Sequence, residues 1–197
     1  DVMNQTIYAY ISDGGIQEEI SQGAGRVAGT LGLDNLIMFY DSNNIQLSTT
    51  VEEVTTENVA MKYEAWGWKV ISINGNDVNE IRKALDEAKA ETQRPTLIIG
   101  DTIMGKGARG ADDSSYENKV STHGQPLSAA GASIEETIKN LGGDPKNPFT
   151  VFTDVAELYA KRAKELEAIV AERYAAKEAW AKANPELAEK MQFWFSG

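Results

Sequence analysis

The protein is a chain of 197 residues with a formal net charge of −11 and no cysteine. The acidic surplus disfavours nucleic acid as a partner, because binding the phosphate backbone requires clustered cations. The lack of cysteine excludes disulfides, thiolate metal sites and cysteine nucleophiles, and the single histidine, His123, excludes a metal site built from several histidines of this chain. The sequence shows neither a signal-like start nor an apolar run near the roughly 20 residues that span a bilayer, so we expect a cytoplasmic location and no membrane partner.

Four short apolar runs alternate with helical patterns in the first part of the chain. The runs cover residues 6–11, 36–40, 68–73 and 95–99. The run 36–40 is continuously apolar, which is typical of a strand that is covered on both faces, and the run 6–11 is expected to be a buried strand. Four strands that alternate with helices favour a parallel sheet. The sequence therefore predicts an α/β fold with a doubly wound parallel sheet.

Apolar and small residues at helical spacing predict helices over 17–31, 57–66 and 77–91. The first helix carries Gly23, Gly25 and Gly29, each of which lowers helix propensity by roughly 1 kcal/mol relative to alanine. We expect a helix with three such residues to pack closely against another backbone. Gly32 is the expected end of this helix, and Asp77 is the expected N-cap of the third.

The chain changes character after the fourth predicted strand. Residues 100–128 are glycine-rich and irregular, and a loop of that length in a compact domain is usually functional or disordered. Residues 144–148 resemble a linker, and residues 153–183 form a helical pattern rich in alanine, glutamate and lysine, followed by a short final helix. We therefore divide the chain into an α/β portion, residues 1–128, and a helical extension, residues 129–197.

Ligands of an open parallel sheet bind beyond the carboxyl ends of its strands. Three segments are predicted there: Asp13-Gly14, residues 41–47 and residues 100–128. A carboxylate oxygen from Asp13, an amide oxygen from Asn43 and nearby backbone carbonyls suit Mg²⁺ or Ca²⁺. The amide of Gly14, near a helix N-terminus, can face the phosphates of the same ligand. Taken alone, an Asp-Gly pair is more often a plain structural turn than a ligand site. Neighbouring motifs are therefore needed to distinguish the two.

Those motifs resemble a known family. Ser12-Asp13-Gly14 and, further along, residues 39–45 (FYDSNNI) resemble the thiamine-diphosphate-binding motif. Further segments are similar to transketolase in particular: residues 18–33, 63–68 (YEAWGW), 102–107 (TIMGKG) and 121–127 (STHGQPL). The last of these segments favours transketolase over other thiamine-diphosphate enzymes, such as deoxyxylulose-phosphate synthase or dehydrogenase E1 components.

The resemblance implies a set of cofactor contacts: Asp13, Gly14, Asn43, Ile45, Leu47, Met104 and His123. Asp13, the side chain of Asn43 and the main-chain carbonyl of Ile45 would hold the divalent ion, which the family takes as Mg²⁺ or Ca²⁺. Leu47 and Met104 match apolar positions near the thiazolium ring of thiamine diphosphate.

Two residues would take part in catalysis. His123 matches the histidine of the family's His-Gly-x-Pro-Leu segment, beside the diphosphate and the reacting substrate, where an imidazole can pass protons or stabilise a developing oxyanion. Glu18 matches a family glutamate at the cofactor and dimer interface, where it supports the glutamate that activates the aminopyrimidine. Ser12 stands where the family has glycine, and Asn44 tolerates a left-handed conformation better than most residues.

Transketolase chains are several times longer than this one, and they add a pyrimidine-binding domain and a C-terminal domain. The resemblance therefore implies part of a transketolase of the pentose phosphate pathway, which transfers a two-carbon ketol unit between sugar phosphates. Residues 129–197 would lead toward the missing pyrimidine domain, and the chain alone is expected to be inactive. Its partners would be a complementary pyrimidine-domain chain and, in the intact enzyme, a second copy in a homo-oligomer such as a dimer. The alternative is a non-catalytic cofactor-half module that binds such a chain.

Overall fold

The computed structural model describes residues 5–196 and divides the chain into two compact units, the first ending at Lys146 and the second beginning at Asn147. The boundary predicted after residue 128 falls inside the first unit. Residues beyond it are bonded to the preceding loop: the amide of Arg109 donates to Thr137 Oγ1 at 3.0 Å, and Asn140 Nδ2 donates to the carbonyl of Gly107 at 2.9 Å.

The first unit alternates strands and helices as the sequence predicts. Its strands are β1 (Ile7–Ser12), β2 (Leu36–Ser42), β3 (Lys69–Asn74) and β4 (Thr96–Asp101). Its helices are α1 (Asp13–Gln17), α2 (Glu19–Leu31), α3 (Val59–Ala65), α4 (Val78–Lys89) and α5 (Ile134–Asn140). The second unit contains α6 (Thr153–Ala183) and α7 (Pro185–Phe195).

The four strands form one parallel sheet in the order β1-β2-β4-β3. The register aligns Ser12 with Asp41 and Ser42 with Asp101, so the carboxyl ends of β1, β2 and β4 lie side by side. This arrangement confirms the predicted parallel sheet and brings the segments that follow these three strands to one edge.

Helices cover both faces of the central strands. On one face, Tyr40 and Leu97 are buried with residues of α1, α2 and α3, among them Ile16 and Tyr63. On the other face, Ile37 and Ile98 are buried with Ala84 and Ala88 of α4. Because alternate residues of β2 and β4 enter two different cores, residues 36–40 and 97–99 are apolar without interruption. The expectation of a buried first strand is wrong, because β1 lies at the edge of the sheet and its Ile7, Tyr8 and Tyr10 are 45%, 58% and 69% exposed.

The glycines of α2 allow a close approach to the segment that ends α3. A Cβ atom added to Gly29 would lie 2.9 Å from the carbonyl carbon of Trp66 and closer still to its oxygen. At Gly25 the added atom would lie 3.3 Å from the rings of Tyr63 and Trp66. The predicted backbone contact is confirmed at Gly29, whereas the space beside Gly23 is open.

The apolar residues of α2 do not face this contact. Ala28 is buried, but Ile20, Val27 and Leu31 are 87%, 57% and 65% exposed, and Ala24 is exposed with them. The reason is steric, because only small side chains fit where α2 touches Trp66. The larger apolar residues are therefore left on the outer face of the helix.

The segment that the sequence describes as a turn before one long helix is itself helical. Ser12 is the N-cap of α1, and its Oγ accepts a hydrogen bond from the amide of Gly15 at 3.4 Å. Glu18 has extended backbone angles and separates α1 from α2. A serine at this position can begin a helix directly after a strand, which explains the earlier start. The predicted end at Gly32 is confirmed by its left-handed φ of 60°.

The loop of residues 100–128 is ordered by internal hydrogen bonds. The amide of Tyr116 donates to the carbonyl of Ala108, and the amide of Asn118 donates to the carbonyl of Met104, both at 2.9 Å. The amide of Gly107 donates to Glu117 Oε1 at 2.8 Å. These bonds give the segment a defined conformation, as expected of a functional loop.

In the second unit, α6 and α7 meet at Asn184, whose amide donates to the carbonyl of Trp180 at 2.9 Å. Pro185 begins α7, as the sequence predicts. Within residues 5–196, none of the helices combines the length and the apolar character that crossing a bilayer requires.

We predict opposite effects for two glycine-to-alanine changes on α2. Gly29→Ala should lower the free energy of unfolding by about 1–3 kcal/mol, because the added methyl overlaps the backbone at Trp66. Gly23→Ala, the matched control in open space, should raise it by up to about 1 kcal/mol through helix propensity. Denaturant titrations followed by circular dichroism measure both values, and equal effects of the two changes would refute the backbone contact.

Candidate functional site

Asp13 is the buried acidic group at the carboxyl edge of the sheet. It follows β1 directly and is 1% exposed. Its Oδ1 accepts a hydrogen bond from Tyr40 Oη at 2.6 Å, and its Oδ2 accepts one from the amide of Asn43 at 3.0 Å. These contacts join the start of α1 to the loop that follows β2.

The carboxylate of Asp13 has no cationic partner within the part of the chain that the structure describes. Burial raises the pKa of Asp13 above its ordinary value, although the hydrogen bonds from Tyr40 and Asn43 act in the opposite direction. A buried carboxylate is costly unless a positive charge compensates it. The site is therefore suited to a bound cation.

The loop after β2 offers two more oxygen atoms. Asn43 Oδ1 accepts a hydrogen bond from the amide of Ile45 at 3.0 Å, and Asn44 between them is left-handed with a φ of 64°. This turn confirms that the position requires a residue that tolerates positive φ. Ile45 is 5% exposed, and among residues 5–196 its carbonyl oxygen accepts no hydrogen bond.

The donor set is short of charged ligands. Among the described residues, no group of three or more histidine, cysteine, aspartate or glutamate side chains is placed to hold a metal ion. The candidates are one carboxylate, from Asp13, and the neutral oxygens of Asn43 and Ile45. Such a set fits a hard cation that completes its shell with water and phosphate oxygens, which is the usual behaviour of Mg²⁺.

Gly14 leaves open space at the same edge. It lies in the first turn of α1, where amide groups have no partner within the helix. A Cβ atom added to Gly14 would meet no atom within 4 Å. A ligand can therefore approach this amide, whereas the amide of Gly15 is already bonded to Ser12.

A cavity of about 500 Å³ opens next to the loop, and it brings together two predicted cofactor contacts, Asn43 and Met104. Gly105 belongs to the same lining, and an added Cβ there would lie 3.2 Å from the Cβ of Thr122. This contact connects the cavity wall to the residue before His123.

Leu47 lies close to Gly124, the residue that follows His123. A Cβ atom added to Gly124 would lie 3.5 Å from Leu47 Cδ1, and Leu47 is 74% exposed. His123 Nδ1 is buried, and in the described part of the chain it has no hydrogen-bond partner. An unbonded ring nitrogen leaves the tautomer of His123 free to follow a ligand or substrate.

Glu18 lies apart from these residues. It occupies the break between α1 and α2, where it is exposed and its side chain makes no capping hydrogen bond. The structure therefore does not connect Glu18 with the cavity. The other predicted residues are distributed over adjoining segments of one sheet edge.

Sequence reasoning missed a polar network around Asp41. Asp41 Oδ2 accepts a hydrogen bond from Tyr10 Oη at 2.7 Å, and Asp41 Oδ1 accepts a short one from Thr102 Oγ1. All three residues line the cavity. The available signal was the position of Asp41 at the end of a buried strand, beside Ser12 in the register.

Comparisons with known proteins agree with this geometry. The profile of the family described as "Transketolase, thiamine diphosphate binding domain" matches residues 1–197. A transketolase of Staphylococcus epidermidis is 37% identical over 209 residues, and the match covers 100% of this chain and 29% of that protein. A dihydroxyacetone synthase of Pichia angusta is 33% identical over 188 residues, covering 94% of this chain and 25% of that protein.

The fold also matches solved structures. A crystal structure of transketolase from Pichia stipitis in complex with sedoheptulose 7-phosphate superposes with a TM-score of 0.87 at 30% sequence identity. The match covers 97% of this chain and 27% of that one. The chain thus spans less than a third of the length of each of these relatives.

We predict that Asp41 makes the phenol of Tyr10 less acidic. Reduced contact with water, followed by the hydrogen bond and charge of Asp41, raises the pKa of Tyr10 from 10.0 to about 12. Asp41→Asn removes the negative charge that opposes the phenolate, so the pKa of Tyr10 should fall toward 10.0. The difference in phenolate absorbance between each protein and its Tyr10→Phe derivative measures this pKa. Asp34→Asn, at an exposed carboxylate, is the control, and an unchanged pKa in Asp41→Asn would contradict the prediction.

Proposed function

The chain belongs to the transketolase family, and we propose that it supplies the diphosphate- and metal-binding part of a site that transfers a two-carbon ketol unit between sugar phosphates. The observation that carries the proposal is the buried, uncompensated carboxylate of Asp13 at the carboxyl edge of a parallel sheet. Ligands of such sheets bind at that edge.

Asp13, Asn43 and the carbonyl of Ile45 would hold Mg²⁺ or Ca²⁺. The oxygens of Asp13 and Asn43 each accept one hydrogen bond, which leaves a second lone pair for a cation. A divalent ion would offset the charge that burial makes costly at Asp13. It would also bring the negative diphosphate to a chain whose formal net charge is −11.

Thiamine diphosphate, when bound, supplies a nucleophilic carbon that accepts a two-carbon unit from one sugar phosphate and passes it to another. This chain's residues would bind and orient the group. Gly14 would donate its amide to the diphosphate, since the space beside it is open. Leu47 and Met104 would pack against the thiazolium ring and keep water from it.

His123 would hold or release a proton at an oxygen of the reacting substrate. The buried Nδ1 makes no hydrogen bond within residues 5–196, so no protein contact in that range selects the neutral tautomer. A substrate oxygen or a phosphate oxygen can then decide which nitrogen carries the proton. This role follows from the family resemblance of residues 121–127.

The outer face of α2, defined by Ile20, Ala24, Val27 and Leu31, would bind the partner. These residues lie on one side of the helix and are exposed. Large apolar side chains that cluster on a surface are typical of interaction sites. Glu18 precedes α2, so a partner on this face would meet its carboxylate. The partner would be a complementary pyrimidine-domain chain or, in the intact enzyme, the corresponding domain of a second copy.

The chain spans 29% of the Staphylococcus transketolase, so the complete activity belongs to the larger assembly. Residues 129–197 would connect the cofactor portion, residues 1–128, with a pyrimidine-binding domain. The pentose phosphate pathway and a cytoplasmic location belong to the same proposal and come from the resemblance alone. The alternative function is a cofactor-half module that binds a complementary chain without turnover, which the exposed face of α2 also favours.

We predict that Asp13→Ala abolishes metal-dependent binding of thiamine diphosphate in the assembly of this chain with a pyrimidine-domain chain. The change removes the one charged ligand of the proposed set. Calorimetric titration of the cofactor at fixed Mg²⁺ measures the loss. Asp34→Ala, at an exposed carboxylate, is the control and should leave the affinity unchanged. Unchanged affinity in Asp13→Ala would refute the ligand assignment.

An assay of ketol transfer distinguishes part of an active enzyme from a non-catalytic cofactor-half module. The chain alone, with thiamine diphosphate and Mg²⁺, should show no turnover, and addition of a pyrimidine-domain chain should restore it. Ile20→Glu introduces a charge on the outer face of α2 and should weaken the restoration by weakening association. Turnover by the isolated chain would contradict the module and the need for a partner. Tight association without turnover would favour the module.

A further inference from the structure

Asp41 joins three adjacent strands through its two carboxylate oxygens. Oδ2 accepts a hydrogen bond from Tyr10 of β1 at 2.7 Å, and Oδ1 accepts one from Thr102, the residue that follows β4. Asp41 itself lies near the end of β2, the strand between them. The carboxylate therefore connects side chains that the backbone hydrogen bonds of the sheet do not connect.

The segments that carry two proposed cofactor contacts begin at this network. Asn43 follows Asp41 by two residues, and Met104 follows Thr102 by two residues. The amide of Thr102 also donates to the carbonyl of Ser42 at 3.0 Å. One side-chain bond and one backbone bond thus tie the two segments together before they diverge along the walls of the same cavity.

Packing against neighbouring residues orients the side chains of Tyr10 and Thr102 to different degrees. The ring of Tyr10 stacks on Phe39, with centroids 5.8 Å apart and planes 3° from parallel. The methyl group of Thr102 lies against Gly75, where an added Cβ would be 2.5 Å from Thr102 Cγ2. Gly100 is equally confined, since its added Cβ would lie 2.9 Å from Phe39 Cε1. Thr102 is therefore confined with its hydroxyl bonded to Asp41, whereas Tyr10 is 69% exposed and is oriented by its ring stacking and its hydrogen bond to Asp41.

We propose that Asp41 is a positioning residue, which sets the separation between the Asn43–Ile45 turn and Met104 by accepting hydrogen bonds from Tyr10 and Thr102. The importance of that separation rests on the proposed function, in which one segment holds the metal ion and the other contacts the cofactor ring. Asp41 suits the task because an ionised carboxylate accepts from both hydroxyls at once, and hydrogen bonds to a charged acceptor are stronger than neutral ones.

Amide hydrogen exchange in the full chain tests this proposal without a bound ligand. The informative amides are those of Asn43 and Ile45 on one segment and that of Asn118, which donates to the carbonyl of Met104, on the other. Thr102→Val removes the hydroxyl at nearly constant shape. It should accelerate exchange at all three amides by roughly tenfold, because the lost bond has a charged acceptor.

Four further variants separate positioning from general stability. Thr102→Ser keeps the hydroxyl and should restore slow exchange. Asp41→Ala should accelerate exchange as Thr102→Val does, and the double variant should add nothing to Asp41→Ala if both act through one contact. Thr137→Val is the matched control, because its buried hydroxyl accepts from the amide of Arg109 away from the cavity. It should accelerate exchange at that amide and leave the three informative amides unchanged.

Acceleration confined to Asn118, or a Thr102→Ser variant that behaves like Thr102→Val, would overturn the proposal. Titration of the same samples with Mg²⁺ alone keeps the two proposals distinguishable. Bound Mg²⁺ should slow exchange at the amides of Asn43 and Ile45. Asp13→Ala should abolish this slowing, and Thr102→Val should weaken Mg²⁺ binding by the same factor by which it accelerates exchange. A wild-type chain that does not respond to Mg²⁺ contradicts the metal assignment, while the exchange rates still decide on Asp41.

Discussion

The buried carboxylate of Asp13 is the interaction on which the rest of the site depends. It holds the loop after β2 through the amide of Asn43 and receives the hydroxyl of Tyr40 from the core. Both bonds require the register that places Ser12 beside Asp41. Two hydrogen bonds offset part of the cost of burying the charge, and a divalent ion is suited to offset the remainder. The fold thus places an uncompensated negative charge, which would stabilise a bound cation, at the edge where a parallel sheet binds ligands.

A close backbone contact determines which face of α2 is buried. Where α2 meets the backbone at Trp66, only glycine and alanine fit, so Gly29 and Ala28 face inward. The larger side chains, Ile20 and Val27 among them, are displaced to the outer face. An inner contact that excludes bulk therefore produces an apolar surface next to Glu18. The partner surface that we propose is in this sense a consequence of how the domain packs.

Local chemistry made much of the fold predictable. The central strands β2 and β4 contain continuous apolar runs, and strands covered on both faces leave that pattern whatever the connectivity. The exposure of the edge strand β1 could not be predicted from its own apolar residues. Asp77 begins α4 because its side chain caps the helix, and Gly32 ends α2 because glycine readily adopts left-handed backbone angles. The helical start at Asp13 was missed because Ser12 can be read as a turn residue or as an N-cap, and neighbouring sequence does not distinguish them. Asp41 was given no role because its partners, Tyr10 and Thr102, are remote in sequence.

The sequence by itself determined the fold class, the family and the residue types available at the sheet edge, because periodicity and short motifs are properties of neighbouring residues. It also indicated that the glycine-bearing helix packs closely against another backbone, since glycine in a helix has a cost that packing must offset. Only the structure showed that the contact is at Gly29 and not at Gly23. Only the tertiary structure decided which face of α2 is buried, that Asp13 has no cationic partner within residues 5–196, and that Asp41 joins three strands. These properties depend on strand order and register, which bring distant residues within hydrogen-bond distance.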